Sequence, residues 1–247
     1  MTDQTQSDAI LGGRVRLLQS ARGYRAGMDA ALLAAACDAQ AGERVLDLGC
    51  GPGAVMLAAA VRRPGAHFTG IEADPDALDL ARANIDLNGL GDRVEGLAGD
   101  VALPFSRLGL PRFDAALCNP PFFDDASALR GPAPEKSRAW MATDGLAAWT
   151  GYLLKAVCDG GTITLIHRAD RLADLLAGLM PRCGSIRIRP VQPRATSPAS
   201  RVIVRAVRGG RAPLTLLPPL VLHPEGEGKH TEAAEAILRD AAPLLWD

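Results

Sequence analysis

No apolar run in the 247-residue sequence approaches the ~18 residues needed to cross a membrane. Charged residues, at 22%, are too frequent for a chain immersed in lipid. The first residues, MTDQTQSD, lack the basic-then-apolar order of a secretory signal. The expectation is a cytoplasmic protein with no membrane partner. None of the five cysteines, Cys37, Cys50, Cys118, Cys158 and Cys183, belongs to a C-x-x-C pair. Zinc and dithiol chemistry are therefore not expected, no metal is required, and the cysteines read as small buried thiols in a reducing compartment. Internal repeats and low-complexity tracts are also lacking. What remains has 48% hydrophobic residues, the content of an ordinary globular protein. Its length fits one large domain, or a domain with a small appendage.

Acids are missing locally. The net charge is only −1, yet Arg182, Arg187, Arg189, Arg194, Arg201, Arg205, Arg208 and Arg211 follow one another with no acid between them. A second acid-free stretch holds Arg14, Arg16, Arg22 and Arg25. Solvated strand and loop faces are one reading. An anionic partner, nucleic acid among the candidates, is the other.

Apolar runs alternate with helical patterns. RVLDL (44–48), HFTGIE (67–72), RVEGLAG (93–99), FDAALC (113–118) and TITLIH (162–167) read as strands. Residues 54–63, 75–89, 145–161 and 169–180 read as helices, with Pro75 in a first turn and Gly89 past an end. SIRIRPV (185–191) and SRVIVRAV (200–207) read as a final strand pair. This order predicts an α/β fold: a doubly wound, mostly parallel, seven-stranded Rossmann-like sheet with an antiparallel edge strand. Residues 1–10 read as disordered. The polar, proline-interrupted stretch 124–144 reads as a functional or mobile loop.

VLDLGCGPG (45–53) occupies the first strand-to-helix turn. Gly49, Gly51 and Gly53 let the backbone turn tightly against a ligand. Their spacing is not the G-x-G-x-x-G of dinucleotide binders. Asp47 precedes them where a pyrophosphate would be repelled, and Glu72 ends the next strand where ribose hydroxyls would lie. A nucleoside joined to a cationic amino acid, without phosphate, satisfies all three features, and S-adenosylmethionine is that ligand. Asp47 would help hold its charged amino acid end and Glu72 its ribose. Asp100 would accept from the adenine amine and Val101 offer a backbone N–H, with Cys50, Gly53 and Ala73 completing the contacts. The plainer reading makes Asp47 a cap and Asp100 a turn acid.

The fourth strand runs into Asn119-Pro120-Pro121-Phe122. Prolines cannot continue a sheet ladder, so the turn is stiff. It is expected beside the first strand, facing the cofactor's methyl group. The Asn119 oxygen and the Pro120 carbonyl would accept the two N–H groups of a conjugated amine, and Phe122 would stack on the planar substrate. These three are the candidate catalytic residues. No general base is required, in keeping with a site expected to have no histidine nearby. The plainer reading makes Asn119 a turn cap and Phe122 a core filler.

Residues 44–125 resemble a class I S-adenosylmethionine-dependent methyltransferase of the N-P-P-[YF] type. The flanks GGRVRLLQSARGYRAGMDAALLAAA (12–36), RATSPASRVIVRAVRGGRAPLTLLPPLVLH and TEAAEAILRD are similar to the bacterial tRNA (adenine-N6) methyltransferase family. That family modifies adenine 37 of a valine tRNA. The resemblance implies cofactor contacts at Asp47, Gly49, Gly51, Glu72, Asp100 and Asn119. It also implies an N-terminal lid carrying Arg25 and Asp29. It divides the chain into an N-terminal extension and lid (1–36), a methyltransferase domain (37–210) and a packed C-terminal tail (211–247). A tRNA substrate would be the anionic partner, with Arg189, Arg194 and Arg201 on phosphates around the base and Arg16 and Arg22 extending that surface. Two departures stand out: Phe122 where tyrosine is commoner, and Ser137-Arg138-Ala139-Trp140 after the N-P-P-F turn. Guanine-N2, DNA adenine-N6 and protein glutamine-N5 methylation remain alternatives, as does a non-catalytic protein binding the cofactor and RNA. The glutamine family carries a helical domain before its glycine loop, which the 44 residues preceding Val45 do not match.

Overall fold

In the computed structural model, residues 5–20, 27–122 and 145–247 are described. Five adjacent parallel strands form one side of the sheet, out to its edge at β5: β3 (Arg44–Leu48), β4 (His67–Glu72), β5 (Val94–Ala98), β6 (Phe113–Cys118) and β7 (Val157–Arg168). Beyond β7 lie β8 (Cys183–Gln192), β9 (Arg201–Arg208), β10 (Thr215–Leu216) and β11 (Leu220–Val221). The order is β10-β8-β9-β7-β6-β3-β4-β5, with β11 also on β8. The doubly wound α/β expectation holds, but the sheet has nine strands rather than seven. The antiparallel strand is β9, and it lies between β7 and β8 rather than at the edge. Its composition explains this. Ile203 packs into the core on one face of the sheet, Val202 and Val204 into the core on the other, and a strand buried on both faces belongs in the interior.

Helices α1 (Met28–Ala35), α2 (Ala54–Arg62) and α3 (Pro75–Leu87) share one apolar core; α4 (Gly145–Ala156) and α5 (Leu172–Leu179) share the other. α2 is almost wholly buried, and its alanines let it lie close to the sheet. Gly70 of β4 meets it there: a Cβ at that position would sit 2.6 Å from Met56 Sδ and 2.7 Å from Cys50 Sγ. α3 starts at Asp74, whose side chain accepts from the Asp76 N–H, with Pro75 next. α4 ends at Ala156, five residues before the expected end. Val157 already pairs with Phe113, and the segment up to Gly161 forms an irregularity before Thr162 pairs with Ala115. The two glycines thus belong to a kink in the strand, not a helix cap.

The N-terminus corrects a second expectation. Residues 5–10 are not disordered but form β1 (Thr5–Ile10), which pairs with β2 (Val15–Ser20). Two asparagines four residues apart, Asn84 on α3 and Asn88 capping its C-terminus, hold this hairpin. Asn84 is buried; its Oδ1 accepts from Leu18 N at 2.6 Å and its Nδ2 donates to Leu18 O and Pro52 O, each at 2.9 Å. Asn88 exchanges the same pair of bonds with the backbone of Arg16. A side-chain amide carries a donor and an acceptor, so it replaces a neighbouring strand.

The C-terminal segment adds β10, β11 and helix α6 (Glu232–Arg239), which Thr231 caps by accepting from Ala234 N. Beyond α6, Leu244 N and Trp246 Nε1 donate to Ala35 O and Ala36 O, each at 2.9 Å, and both side chains are buried.

Candidate active site

β3 is flanked by β4 and β6, so the strand order reverses there and a crevice opens at the strand ends. Leu48 pairs with Cys118, so the chain leaves these two strands side by side as Gly49 and Asn119. Both turns open onto one cavity of about 220 Å³. Gly49, Cys50, Gly51, Pro52, Ala54 and Val55 form one wall and Asn119-Pro120-Pro121-Phe122 another; Asp47, Glu72, Ala30 and Trp149 complete the lining.

The glycine turn is held against the end of β4 by bonds from Gly49 N and Cys50 N to Ile71 O. Gly49 has φ +72°, and a Cβ there would fall 2.6 Å from Trp149 Cη2. Only glycine fits both conditions. Glu72 fixes the same turn: Oε2 accepts from Gly51 N at 2.8 Å, while Oε1 accepts from Ala73 N and Asp74 N. Asp47 is 1% exposed and accepts from Met56 N at 3.1 Å. Burial, and secondarily the nearby Glu72 carboxylate, push its pKa up to about 7. The lining contains two carboxyl groups and no basic residue. It therefore suits a cation and disfavours a phosphate, while Trp149, Val55 and Pro52 offer apolar walls.

The other expected cofactor residues lie outside this lining. Gly53 caps α2 from the left-handed region, and Ala73 follows Glu72. Asp100 accepts from Ala102 N within its own turn, and Val101 packs against the core that holds α4 and α5. Asp29 pairs instead with Arg201, at 3.0 Å. Arg25, Arg22 and the segment 124–144 lie outside the described residues.

Three site neighbours were missed. Ala30 lines the cavity from α1, whose residues are not read as a helix from the sequence, and Trp149 from α4, which is read as a helix with no face assigned to a site. His167 corrects the expectation that no histidine is near. It is the penultimate residue of β7, its ring centroid is 5.1 Å from that of Phe122, and the rings are nearly perpendicular. A polar residue closing an apolar strand at the carboxyl end of a parallel sheet was the available signal. Burial, then Arg171, Arg168 and Arg201, lower its pKa to about 4. It is therefore neutral near pH 7 and a poor proton acceptor.

Of the arginines assigned to phosphates, Arg201 reaches the site, with its guanidinium carbon 4.8 Å from the Phe122 ring centroid. Arg16 donates to Leu87 O at 2.5 Å. Arg189 donates to Pro218 O and Leu245 O. Arg194 lies in the β8–β9 turn, its carbonyl accepting from Ser197 N.

Four cysteines are buried, Cys158 is partly exposed, and all five are free thiols. Among the described residues no group of three or more His, Cys, Asp or Glu side chains is placed to hold a metal ion. No helix among them is long and apolar enough to cross a membrane.

Residues 25–131 match the family model of the methyltransferase small domain. A tRNA1(Val) (adenine(37)-N6)-methyltransferase from Porphyromonas gingivalis is 35% identical over 167 residues, 64% of this chain and 64% of the relative. A release factor glutamine methyltransferase from Gloeobacter violaceus is 42% identical over 90 residues, 36% of this chain and 30% of that one. The chain thus spans under two thirds of the length of these curated relatives. The crystal structure of a predicted O-methyltransferase from Agrobacterium tumefaciens superposes with a TM-score of 0.73 at 28% identity, covering 88% of this chain and 98% of that one. S-adenosylmethionine, the cofactor expected from the sequence, fits this lining: carboxyl groups for its cationic end and ribose, apolar walls for its base. Residues 25–131 thus carry a methyltransferase small domain, within a fold similar to that of a predicted O-methyltransferase.

Proposed function

We propose that the chain methylates the exocyclic N6 of an adenine in tRNA, at position 37 of a valine tRNA. The observation that supports this reading is the single cavity onto which the glycine turn and Asn119-Pro120-Pro121-Phe122 both open. The position and the tRNA follow the name of the Porphyromonas relative.

The cofactor supplies a methyl group made electrophilic by a sulfonium. The work of the protein is to orient a weak nucleophile. The lone pair of an adenine amine is delocalised into the ring. The Asn119 side-chain oxygen and the Pro120 carbonyl accept its two N–H groups, point the nitrogen into the cavity and stabilise the positive charge that develops on it. Phe122 provides a flat apolar contact for the base, and base–aromatic stacking contributes ~1–3 kcal/mol. The methylated nitrogen is a strong acid, so its proton passes to water, and the neutral His167 is not needed to take it. A base in an anticodon loop reaches such a pocket without opening a duplex.

A glutamine carboxamide presents the same pair of N–H groups, and the Gloeobacter relative is named for that substrate. One assay separates the readings. The protein is incubated with methyl-labelled S-adenosylmethionine and either unmodified tRNA1(Val) or a release-factor fragment, and the tRNA nucleosides are analysed by mass spectrometry. The expected product is N6-methyladenosine. Asn119→Ala is expected to lower the rate about 10²–10³-fold while S-adenosylhomocysteine still binds. Label in the protein fragment and none in tRNA overturns the adenine reading.

A further inference from the structure

His167 is 1% exposed, yet among the described residues neither ring nitrogen has a hydrogen-bond partner. Leaving buried polar atoms unpaired is costly, so each such group calls for an explanation. Its position supplies one. Cys118 pairs with Leu165 across β6 and β7, which puts His167 level with Pro120, one strand away from the turn that grips the amine. Its ring packs against Phe122, the residue assigned to the flat face of the base. That contact is itself fixed: Arg201 lies over Phe122, and Asp29 holds the Arg201 Nε at 3.0 Å.

The charged groups around His167 are Arg168, Arg171, Arg201 and Asp170. Burial, and then the arginines, oppose a positive imidazole, so the ring stays neutral, with one nitrogen a donor and the other an acceptor. An adenine whose two amine hydrogens are taken by Asn119 and Pro120 still presents a ring-nitrogen acceptor on each side of that amine, N1 and N7. It needs a donor beside the grip.

We propose that His167 is the base-reading residue of this site, its imidazole N–H donating to the ring nitrogen next to the accepting amine. The inference rests on the adenine reading above and adds to it the contact that recognises the ring rather than the amine. Phe122, held by Arg201 and Asp29, would keep that donor in place.

The test uses the full-length protein, saturating S-adenosylmethionine, and three forms of tRNA1(Val) carrying adenosine, 1-deazaadenosine or 7-deazaadenosine at position 37. The deaza bases replace one ring nitrogen by C–H and keep the amine. The wild type is expected to lose about tenfold in kcat/KM on one of the two, the size of one hydrogen bond. His167→Phe should lose about tenfold on adenosine and nothing further on that deaza base. His167→Gln, which keeps an N–H donor, should recover part of the loss. Unchanged S-adenosylhomocysteine affinity shows that each variant is folded; should His167→Phe not fold, the wild type and His167→Gln on the three tRNAs decide. A wild type equally fast on all three, or penalties that multiply in His167→Phe, overturns the assignment and leaves the adenine reading standing. No transfer to any of the three by the wild type removes the adenine reading, and this contact with it.

Discussion

Asp47 should make the empty protein less stable as the pH rises, and Asp47→Asn should remove that dependence. In an unfolded chain the carboxyl titrates near 3.8; in the folded protein burial raises it to about 7. Below the lower value Asp47 is protonated in both states and carries no penalty. Between the two values only the unfolded chain has released the proton, so each pH unit lowers folding stability by up to about 1.4 kcal/mol. Above about 7 both states are ionised and the penalty is constant, at roughly 4 kcal/mol in total. From about pH 4.5 to 8.5 the accessible part is about 3 kcal/mol. Asparagine keeps an acceptor for Met56 N and does not titrate. Its extra buried N–H₂ shifts stability by the same amount at every pH, so the difference in slope isolates the carboxyl. Urea unfolding of both proteins across that range gives the comparison. Other titrating groups are common to the two and cancel. The same logic gives the ligand a sign: a cationic group beside Asp47 favours the ionised form, so S-adenosylhomocysteine should bind about tenfold more tightly near pH 8 than near pH 6, releasing a proton at the lower pH. Parallel stability curves for the wild type and Asp47→Asn would refute the argument, because the penalty would then lie elsewhere.

Other perturbations test the frame around the cavity. Gly49→Ala combines a left-handed φ with a Cβ driven into Trp149; a loss of about 2 kcal/mol in thermal unfolding is expected, with Trp149→Ala restoring only the steric part. Asn84→Ala leaves the backbone groups of Leu18 and the Pro52 carbonyl without their partner. It should cost about 3 kcal/mol and speed hydrogen exchange at Leu18, whereas slow exchange there would show that the hairpin is held by its apolar face alone. Arg62→Met removes the donors to Ile237 O and Ala242 O; about 2 kcal/mol of stability should go, with protease cutting around residue 240 becoming faster.

The central strands were legible because burial on both faces writes continuous apolar runs: β4 and β6 have the expected bounds. The adjacency of Gly49 and Asn119 was legible too, since strand order in a doubly wound sheet follows from the connections. Less was legible where a residue acts through the backbone. Asn84 and Asn88 looked like ordinary polar positions of a helix, and nothing local marks them as the partners of a strand some 70 residues earlier. The placement of β9 inside the sheet was written in Val202-Ile203-Val204, but a strand pair at the end of a chain suggests an edge. Trp149 was illegible for a related reason: whether a buried aromatic faces a cavity or a core depends on what glycine leaves open opposite it.

The arginines show how charge alone misleads. An acid-free cluster invites an anionic partner, because an unpaired guanidinium seeks negative charge. Carbonyl oxygens are negative as well, and the last turn of a helix leaves several without partners. Arg14 donates to Arg239 O and Arg62 to Ile237 O at the end of α6, Arg187 to Trp246 O, and Arg189 to Leu245 O. Each joins the C-terminal segment to the body without any acid. Five donors in a planar fork suit such ends better than an ammonium does. Arg205 and Arg208 pair with Asp38 and Asp159 across the fold, acids that an inspection of the neighbouring sequence cannot find. The search for an RNA surface therefore narrows to the cations that sit beside the cavity. Arg201 is foremost: its charge lies over the ring that would meet the base, and its partner Asp29 is only partly buried. Arg201→Gln should weaken tRNA binding and leave S-adenosylhomocysteine affinity unchanged, since no cavity-lining carboxyl depends on it. An equal loss of both affinities would mean that the Asp29–Arg201 pair supports the cofactor wall formed by the neighbouring Ala30 rather than the substrate.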